Sequence, residues 1–368
     1  MVKILTLLGT RPEAIKLAPV IYNLKKHPEQ IQSVVCVTGQ HRQMLDQVLA
    51  LFDIQPDYDL ALMRPNQSLA QITAHAIANL DTVIGRETPD WLLVQGDTTT
   101  VMAAALVGFY HKVKIGHVEA GLRTYDKFQP FPEEINRRIT DLLGDLFFAP
   151  TESARQHLLS ENVPAAKIYV TGNTGIDALH LISKRDYIWE QSPIRNVPQN
   201  KRLILVTAHR RENFGESFRN LCFAIRDLAL RYKDDCHFVY PVHLNPNVQT
   251  PVHEILTNLP NVSLLEPVDY STMVQLMKRS TLILTDSGGI QEEAPSLGIP
   301  VLVLREVTER PEAVECGVAR LVGTNRDVIV HEAARLLDDV QYYQTMARVT
   351  NLYGDGHAAE RIVAALCK

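Results

Sequence analysis

Apolar residues in this chain fall into short runs rich in Val, Ile, Leu and Phe, each followed by a turn and a longer stretch of helical periodicity. In the first half the runs lie at residues 2–8, 34–38, 91–95, 115–118, 146–149 and 168–170; in the second half they lie at 203–207, 238–241, 262–264, 282–285, 301–304 and 319–322. A strand that is apolar at nearly every position buries both faces, and strands alternating with helices form parallel sheets covered on either side. The pattern predicts a doubly wound α/β chain with about six strands in each half. Residues 183–202 are polar and rich in Pro, Asn and Gln, with Pro193 and Pro198 placed to break any helix, so this segment reads as the junction between halves. Ligands of open parallel sheets bind outside the carboxyl ends of the strands, which makes the loops after these runs the place to look for chemistry.

The run 282–285 leads through Asp286-Ser287-Gly288-Gly289 into Ile290-Gln291-Glu292-Glu293, a strand followed by a small-residue turn and a helix start. The first amide N–H groups of a helix lack intrahelical acceptors and sit at the positive end of its macrodipole. The turn therefore suits a pyrophosphate, with Glu293 one turn on and within reach of a ribose diol. After the first run, Gly9-Thr10-Arg11-Pro12-Glu13-Ala14-Ile15-Lys16 enters a helix with Pro12 in its first turn, and presents Arg11 and Lys16. Neither Gly-x-Gly-x-x-Gly nor Gly-x-x-x-x-Gly-Lys-Ser/Thr occurs, which removes the support for dehydrogenase and P-loop NTPase readings. Gly96-Asp97-Thr98 and Glu119-Ala120-Gly121 follow two further runs, and Phe131-Pro132-Glu133-Glu134 comes next. Asp97 alone suits a helix N-cap, but capping does not account for three carboxylates on successive loops, because a recessed acid is unfavourable unless paired or used. In the second half, Ala208-His209-Arg210-Arg211-Glu212 and Glu309-Arg310-Pro311-Glu312 place His209 and Arg310 beside the 287–289 turn. His209 suits either a structural hydrogen bond or catalysis, and no second His or Cys has zinc-ligand spacing to it.

At 368 residues, with 46% apolar and 21% charged, the chain has the size and balance of a two-domain globular protein. A net charge of −5 supplies no general basic field, so nucleic acid is not an expected partner and an anionic ligand must be held by local positive groups. No apolar run approaches the roughly 18 residues of a membrane span, and the N-terminal run breaks at Gly9, too soon for a signal peptide. The cysteines, Cys36, Cys222, Cys236, Cys316 and Cys367, are scattered and form no Cys-x-x-Cys pair, which fits reduced thiols in the cytoplasm. No metal or other cofactor is expected.

Gly9-Thr10-Arg11-Pro12-Glu13, Gly96-Asp97-Thr98, His117-Val118-Glu119-Ala120-Gly121, Pro132-Glu133-Glu134, Ala208-His209-Arg210-Arg211-Glu212, Asp286-Ser287-Gly288-Gly289 and Glu309-Arg310-Pro311-Glu312 occur in that order. In this the chain resembles the non-hydrolysing UDP-N-acetylglucosamine (UDP-GlcNAc) 2-epimerase family. The resemblance implies the GT-B arrangement, two doubly wound Rossmann-like domains facing a central cleft. It implies a first domain of residues 1–176 with a C-terminal helix, 356–368, packed back on it, and a UDP-binding domain of residues 177–355. It implies Asp97, Glu119, Glu133 and His209 as catalytic residues, and Arg11, Lys16, Arg137, Met273, Ser287, Gly288, Gly289, Glu293 and Arg310 as substrate-binding residues. Some members bind UDP-GlcNAc at a second, activating position, matched here by Gln40, His41, Gln43, Gln67 and His243. Asn66 departs from that pattern, since an Arg often stands there, and Met273 departs where an aromatic residue commonly covers the uracil. A homodimer is also implied.

The activity implied is reversible C2 epimerisation of UDP-GlcNAc to UDP-N-acetylmannosamine, by anti-elimination of UDP to 2-acetamidoglucal and re-addition, supplying N-acetylmannosamine units for bacterial-type surface polysaccharide. The C2 hydrogen is not acidified by a carbonyl, so it leaves only as the C1–O bond to UDP breaks. Positive groups and backbone amides must then stabilise the departing pyrophosphate while carboxylates handle the proton on opposite faces. Which carboxylate removes the proton and which returns it stays open, because close carboxylates titrate as a coupled set. Two enzyme alternatives share the fold: a hydrolysing epimerase releasing UDP and free N-acetylmannosamine, and a glycosyltransferase, for which three carboxylates are in excess. A non-catalytic nucleotide-sugar sensor would gain little from burying unpaired charge beside a pyrophosphate.

Overall fold

The computed structural model describes residues 1–39, 42–64 and 67–368, and of residues 42–44 the backbone alone. The chain forms two compact units, Met1–Leu181 with Tyr353–Lys368, and Ile182–Leu352.

Among the described residues, the first unit holds a seven-stranded parallel sheet of β1 (Val2–Leu8), β2 (Ile31–Val37), β3 (Tyr58–Asp59), β4 (Trp91–Gln95), β5 (Lys114–Val118), β6 (Leu146–Ala149) and β7 (Ile168–Val170), in the order β3-β2-β1-β4-β5-β6-β7. Both faces are covered, as the continuous apolar runs require. Along β1, Ile4 and Leu8 pack with Leu17, Leu93 and Ile362, while Leu5 and Leu7 pack on the other face with Leu92, Val94 and Val101. Each such side chain contributes roughly 1.5–3 kcal/mol by leaving water.

The first unit runs to Leu181, beyond the expected 176, and resumes at Tyr353, before the expected 356. Helix Thr174–Ser183 is tied to the C-terminal helix Ala358–Leu366 by Asp177, whose carboxylate accepts the N–H groups of Ala358 at 3.2 Å and Ala359 at 2.8 Å. The Asn173 N–H donates to the Tyr353 carbonyl just upstream. Strand β3 was outside the expected set of about six. It pairs with β2 only through Cys36–Tyr58 and Val37–Asp59, a length at which side-chain alternation carries no signal.

Among the described residues, the second unit holds a six-stranded parallel sheet of β8 (Arg202–Thr207), β9 (Cys236–Pro241), β10 (Val262–Leu265), β11 (Ser280–Thr285), β12 (Val301–Val303) and β13 (Ala319–Leu321), ordered β10-β9-β8-β11-β12-β13. Its core includes Ile204, Phe218, Phe238, Tyr240 and Leu284. The polar segment 183–202 is not a free junction. It lies within the second unit, forms a 3₁₀ turn at Trp189–Gln191, and buries Ile194 and Val197.

Strand order reverses between β1 and β4 in the first unit and between β8 and β11 in the second. At such a switch point the connections leave in opposite directions and open a crevice at the carboxyl ends. The loops at Gly9 and Gly96 flank the first crevice, and those at Ala208 and Asp286 flank the second. Among the described residues no helix is long and apolar enough to cross a membrane.

Candidate active site

Topology thus decides which loops meet, and local geometry decides what their side chains do. In the first unit, Thr98 rather than Asp97 caps helix Thr99–Tyr110, its Oγ1 accepting the Val101 N–H at 3.3 Å. The Asp97 carboxylate, released from capping, lies 2.7 Å from Arg137 Nη2, one turn into helix Glu133–Leu143. Asn136 Nδ2 donates to the Asp97 carbonyl at 3.0 Å, so backbone and carboxylate are both held. Glu119 follows β5 directly and adopts φ 67°, left-handed backbone that strains a non-glycine residue by about 1–3 kcal/mol. Three donors hold its carboxylate: Lys16 Nζ at 2.5 Å, Asn173 Nδ2 at 3.4 Å, and the Gln95 amide.

Burial pushes the Asp97 carboxyl above its ordinary value; Arg137 and Lys16 oppose the rise, and Glu119 and Glu133 add to it. Asp97 therefore senses both of the other carboxylates anticipated from the loops, all within the first unit. An acid held up in this way takes or returns a proton near neutrality more readily than an exposed aspartate. Glu13 lies deeper and accepts the Gly9 N–H and, at 2.9 Å, the Thr10 N–H. Burial pushes it up to about 7 against the hydrogen bonds of Thr98, Gly9 and Thr10, with Asp97 adding a smaller push. Arg11 begins helix Arg11–Lys25 and is half-buried.

In the second unit, Asp286 is fully buried and its Oδ2 accepts the N–H groups of His209 and Arg210, each at 2.8 Å. That carboxylate pins the loop after β8 to the end of β11. His209 Nδ1 stands 3.5 Å from Asp286 Oδ1, and its ring stacks on His243 with centroids 5.3 Å apart and planes 11° from parallel. Burial lowers the His209 pKa; Asp286 opposes this, and His243 and Arg210 add to the lowering, which favours a neutral ring. Ser287 is the N-cap residue of helix Gly288–Ser296. A Cβ on Gly288 would sit 3.3 Å from Arg310 Cζ, whereas one on Gly289 would meet nothing within 4 Å. The two glycines thus do different things: Gly288 makes room for a guanidinium over the turn, and Gly289 leaves the backbone open. Arg310 is held there by Glu292, 2.8 Å from its Nε. Glu293 Oε1 accepts the Tyr270 hydroxyl at 2.9 Å, and Met273 lies on the same helix as that tyrosine, Tyr270–Arg279, half-buried.

Residues suggested for a second ligand position are distributed differently. Gln40 and His41 lie outside the described residues, as does the side chain of Gln43. Gln67 is engaged locally, its Oε1 accepting the Arg64 N–H at 2.7 Å and its Nε2 lying 3.0 Å from His75 Nδ1. His243 is exposed and accepts the Asn245 N–H at 3.1 Å through Nδ1. Residues missed by sequence reasoning include Glu13, Gln95, Asn136, Asn173, Tyr270, Asp286 and Glu292. Of these only Asp286 carried a legible signal, an acid at a strand end directly before Ser-Gly-Gly.

Residues 23–367 match the family model described as UDP-N-acetylglucosamine 2-epimerase. The chain belongs to that family. A UDP-N-acetylglucosamine 2-epimerase of Escherichia coli O157:H7 is 52% identical over 372 residues, covering 99% of this chain and 98% of the relative. A putative family enzyme of Thermotoga maritima is also 52% identical, covering 100% of this chain and 96% of its own. Among solved structures, the epimerase of Neisseria meningitidis bound to UDP-GlcNAc superposes with a TM-score of 0.91 at 50% identity, covering 99% of each chain. That of Methanocaldococcus jannaschii, in complex with UDP-GlcNAc and UDP, gives 0.82 at 34% identity, again covering 99% of each. The family's GT-B type, two Rossmann-like parallel-sheet units, is the architecture described above. Within it, the switch-point loops of this member carry the family motifs.

Proposed function

We propose that this UDP-N-acetylglucosamine 2-epimerase homologue is a non-hydrolysing enzyme that interconverts UDP-GlcNAc and UDP-N-acetylmannosamine by elimination and re-addition of UDP. The observation that carries this reading is Asp97 in electrostatic contact with both Glu119 and Glu133, with Lys16 and Arg137 as counter-charges. A nucleotide-sugar binder has no need of it. The relatives with UDP-GlcNAc and UDP in their structures support the same ligand class here.

Each unit carries groups suited to one part of the chemistry. In the second, the open amides at Gly289, the Arg310 guanidinium and His209 suit the diphosphate, whose charge grows as the C1–O bond breaks. In the first, a carboxylate takes the C2 proton. The C2–H electron pair becomes the C1=C2 double bond, and the C1–O pair leaves with UDP. For return, UDP oxygen re-forms the bond at C1 while a proton is delivered to the other face of C2. Asp97, held up by its surroundings, suits a group that changes protonation during turnover. Glu119, clamped by three donors, suits a fixed charge or a second proton partner. A homodimer, and an activating second UDP-GlcNAc near Gln40, His41, Gln43, Gln67 and His243, belong to this reading as well.

The test is NMR of the purified protein with UDP-GlcNAc in D2O, following C2 and free UDP together. Deuterium at C2 in a mixture of gluco and manno UDP-sugars is the expected result. Free N-acetylmannosamine with stoichiometric UDP would place the enzyme in the hydrolysing class, and unaltered substrate would overturn the epimerase reading.

A further inference from the structure

One member of the His117-Val118-Glu119-Ala120-Gly121 motif has no part in the chemistry above. His117 lies in β5, two residues before Glu119, and is fully buried. Its Nε2 is 2.8 Å from the Gly96 carbonyl oxygen and its Nδ1 is 2.6 Å from Asp141 Oδ1. A backbone carbonyl can only accept a hydrogen bond. Asp141 is likewise an acceptor, because its other oxygen takes Arg123 Nη2 at 2.7 Å and the Gly121 N–H at 3.3 Å. A neutral imidazole has one donor and one lone pair, so one of the two short contacts would set lone pair against lone pair. With acceptors at both nitrogens, the ring carries both protons.

The surroundings balance that charge. Arg123, whose side chain is fully buried, bridges Asp141 and Glu161, the latter at 2.9 and 2.7 Å. His117 and Arg123 thus share the buried Asp141, and Glu161 also has Arg138 at 3.9 Å; burial pushes Asp141 up but His117 and Arg123 outweigh it and hold the acid below its ordinary value. Such a network is stable only if every member is present.

The carbonyl that His117 grips belongs to Gly96, which has φ 78° and directly precedes Asp97. Gly96 also donates its N–H to the Val118 carbonyl at 3.0 Å, and Asn136 holds the Asp97 carbonyl. We propose that His117 is a buried imidazolium and a positioning residue for the proposed proton transfer, clamping the Gly96 carbonyl so that the Asp97 turn has a single placement. This rests on the epimerase reading, since it assigns His117 its purpose through Asp97. His117 thus adds a side-chain restraint on the Gly96 carbonyl to those that Val118, Asn136 and Arg137 place on this turn, and a displacement of about 1 Å at a reacting group lowers rate by roughly a hundredfold.

Two measurements on the full-length protein test it. The first is 15N-histidine NMR of the wild type, with His117 assigned through its backbone connectivity to Gly116 and Val118. Both ring nitrogens are expected to be protonated, and a pyridine-type nitrogen at His117 would overturn the assignment. The second is kinetics of His117→Gln and His117→Asn, with C2 deuterium incorporation as readout. The expected result is a fall in kcat of roughly 10- to 100-fold with KM within about twofold. Wild-type kcat in either folded variant would overturn the positioning role, as would a loss confined to KM. If the wild type itself incorporates no deuterium, the epimerase reading fails, while the ring-nitrogen spectrum still decides the charge on His117.

Discussion

Replacing Lys16 by Met tests whether the carboxylate set depends on its counter-charge. The substitution keeps most of the side-chain volume and removes one ammonium, which lies 2.5 Å from Glu119 Oε1 with the two side chains 18% and 8% exposed. Removing one partner of a buried ion pair costs about 3–5 kcal/mol, and a charge-assisted hydrogen bond contributes about 1.5–3 kcal/mol net. Glu119 retains the Gln95 and Asn173 amides, and the exposure of Lys16 admits water to the emptied position, so about 2–3 kcal/mol is the appropriate figure. Borne by the transition state, that is about a 30- to 160-fold loss in kcat/KM. Lys16 also opposes the rise of the Asp97 pKa, so without it Asp97 rises further. If ionised Asp97 starts the reaction, the acid limb of the rate profile moves to higher pH. The assay is the initial rate of C2 exchange from pH 5 to 9, with thermal melting to confirm folding. A folded variant with kcat/KM within threefold of wild type and an unmoved acid limb would refute the reasoning.

In Gly121→Ala, at φ +86°, the new Cβ would lie 2.3 Å from the Ala154 carbonyl oxygen and 2.9 Å from Leu158 Cγ, so strain and overpacking should together remove about 3–5 kcal/mol of stability by urea unfolding. A loss under about 1 kcal/mol would show that the loop after β5 is freer than its contacts indicate. Glu13 is raised from 4.5 to about 7, so its contribution is fully present below pH 4.5 and is lost as pH rises through 7, roughly 3 kcal/mol in all. Asp177, raised to about 6 by burial against the Ala359 and Ala358 amides, acts with the same sign. Because Glu13→Gln removes only the Glu13 part, wild-type stability minus variant stability should fall between pH 4.5 and 7, and a flat difference would contradict the assignment. In Gly288→Ala the Cβ comes 3.3 Å from Arg310 Cζ, so the guanidinium, held by Glu292, must give by a few tenths of an ångström; UDP affinity measured by calorimetry should fall by up to roughly tenfold with little change in stability, and unchanged affinity would show that the turn does not depend on a close Gly288–Arg310 approach.

Most of the strands were legible because central ones such as β1, β4 and β8 are nearly unbroken apolar runs bounded by turns, as strands covered on both faces require. The extent of the second unit was less so: Ile194 and Val197 sit among polar neighbours, and only packing reveals them as core. The site divides in the same way. Asp97, Glu119 and His209 stand out because charged or polar residues just after strands are conspicuous, and Glu133 and Arg310 because they stand at the starts of the helices that follow. Their partners are invisible along the chain: Lys16 meets Glu119 across 103 positions and Asp286 meets His209 across 77.

By itself, then, the sequence determined the alternation of strands and helices, the loops that carry chemistry and the family to which the chain belongs. Each of those is written in local runs, and a run of apolar residues or a Ser-Gly-Gly turn means much the same wherever it occurs. Tertiary structure decided that Thr98 rather than Asp97 caps its helix, that Gly288 makes room for Arg310 while Gly289 stays open, and that His117 lies between two acceptors. The last two depend on which strands become neighbours, β11 with β12 and β4 with β5. Hydrogen bonds and charge act over a few ångströms of space, whatever distance separates their groups in sequence.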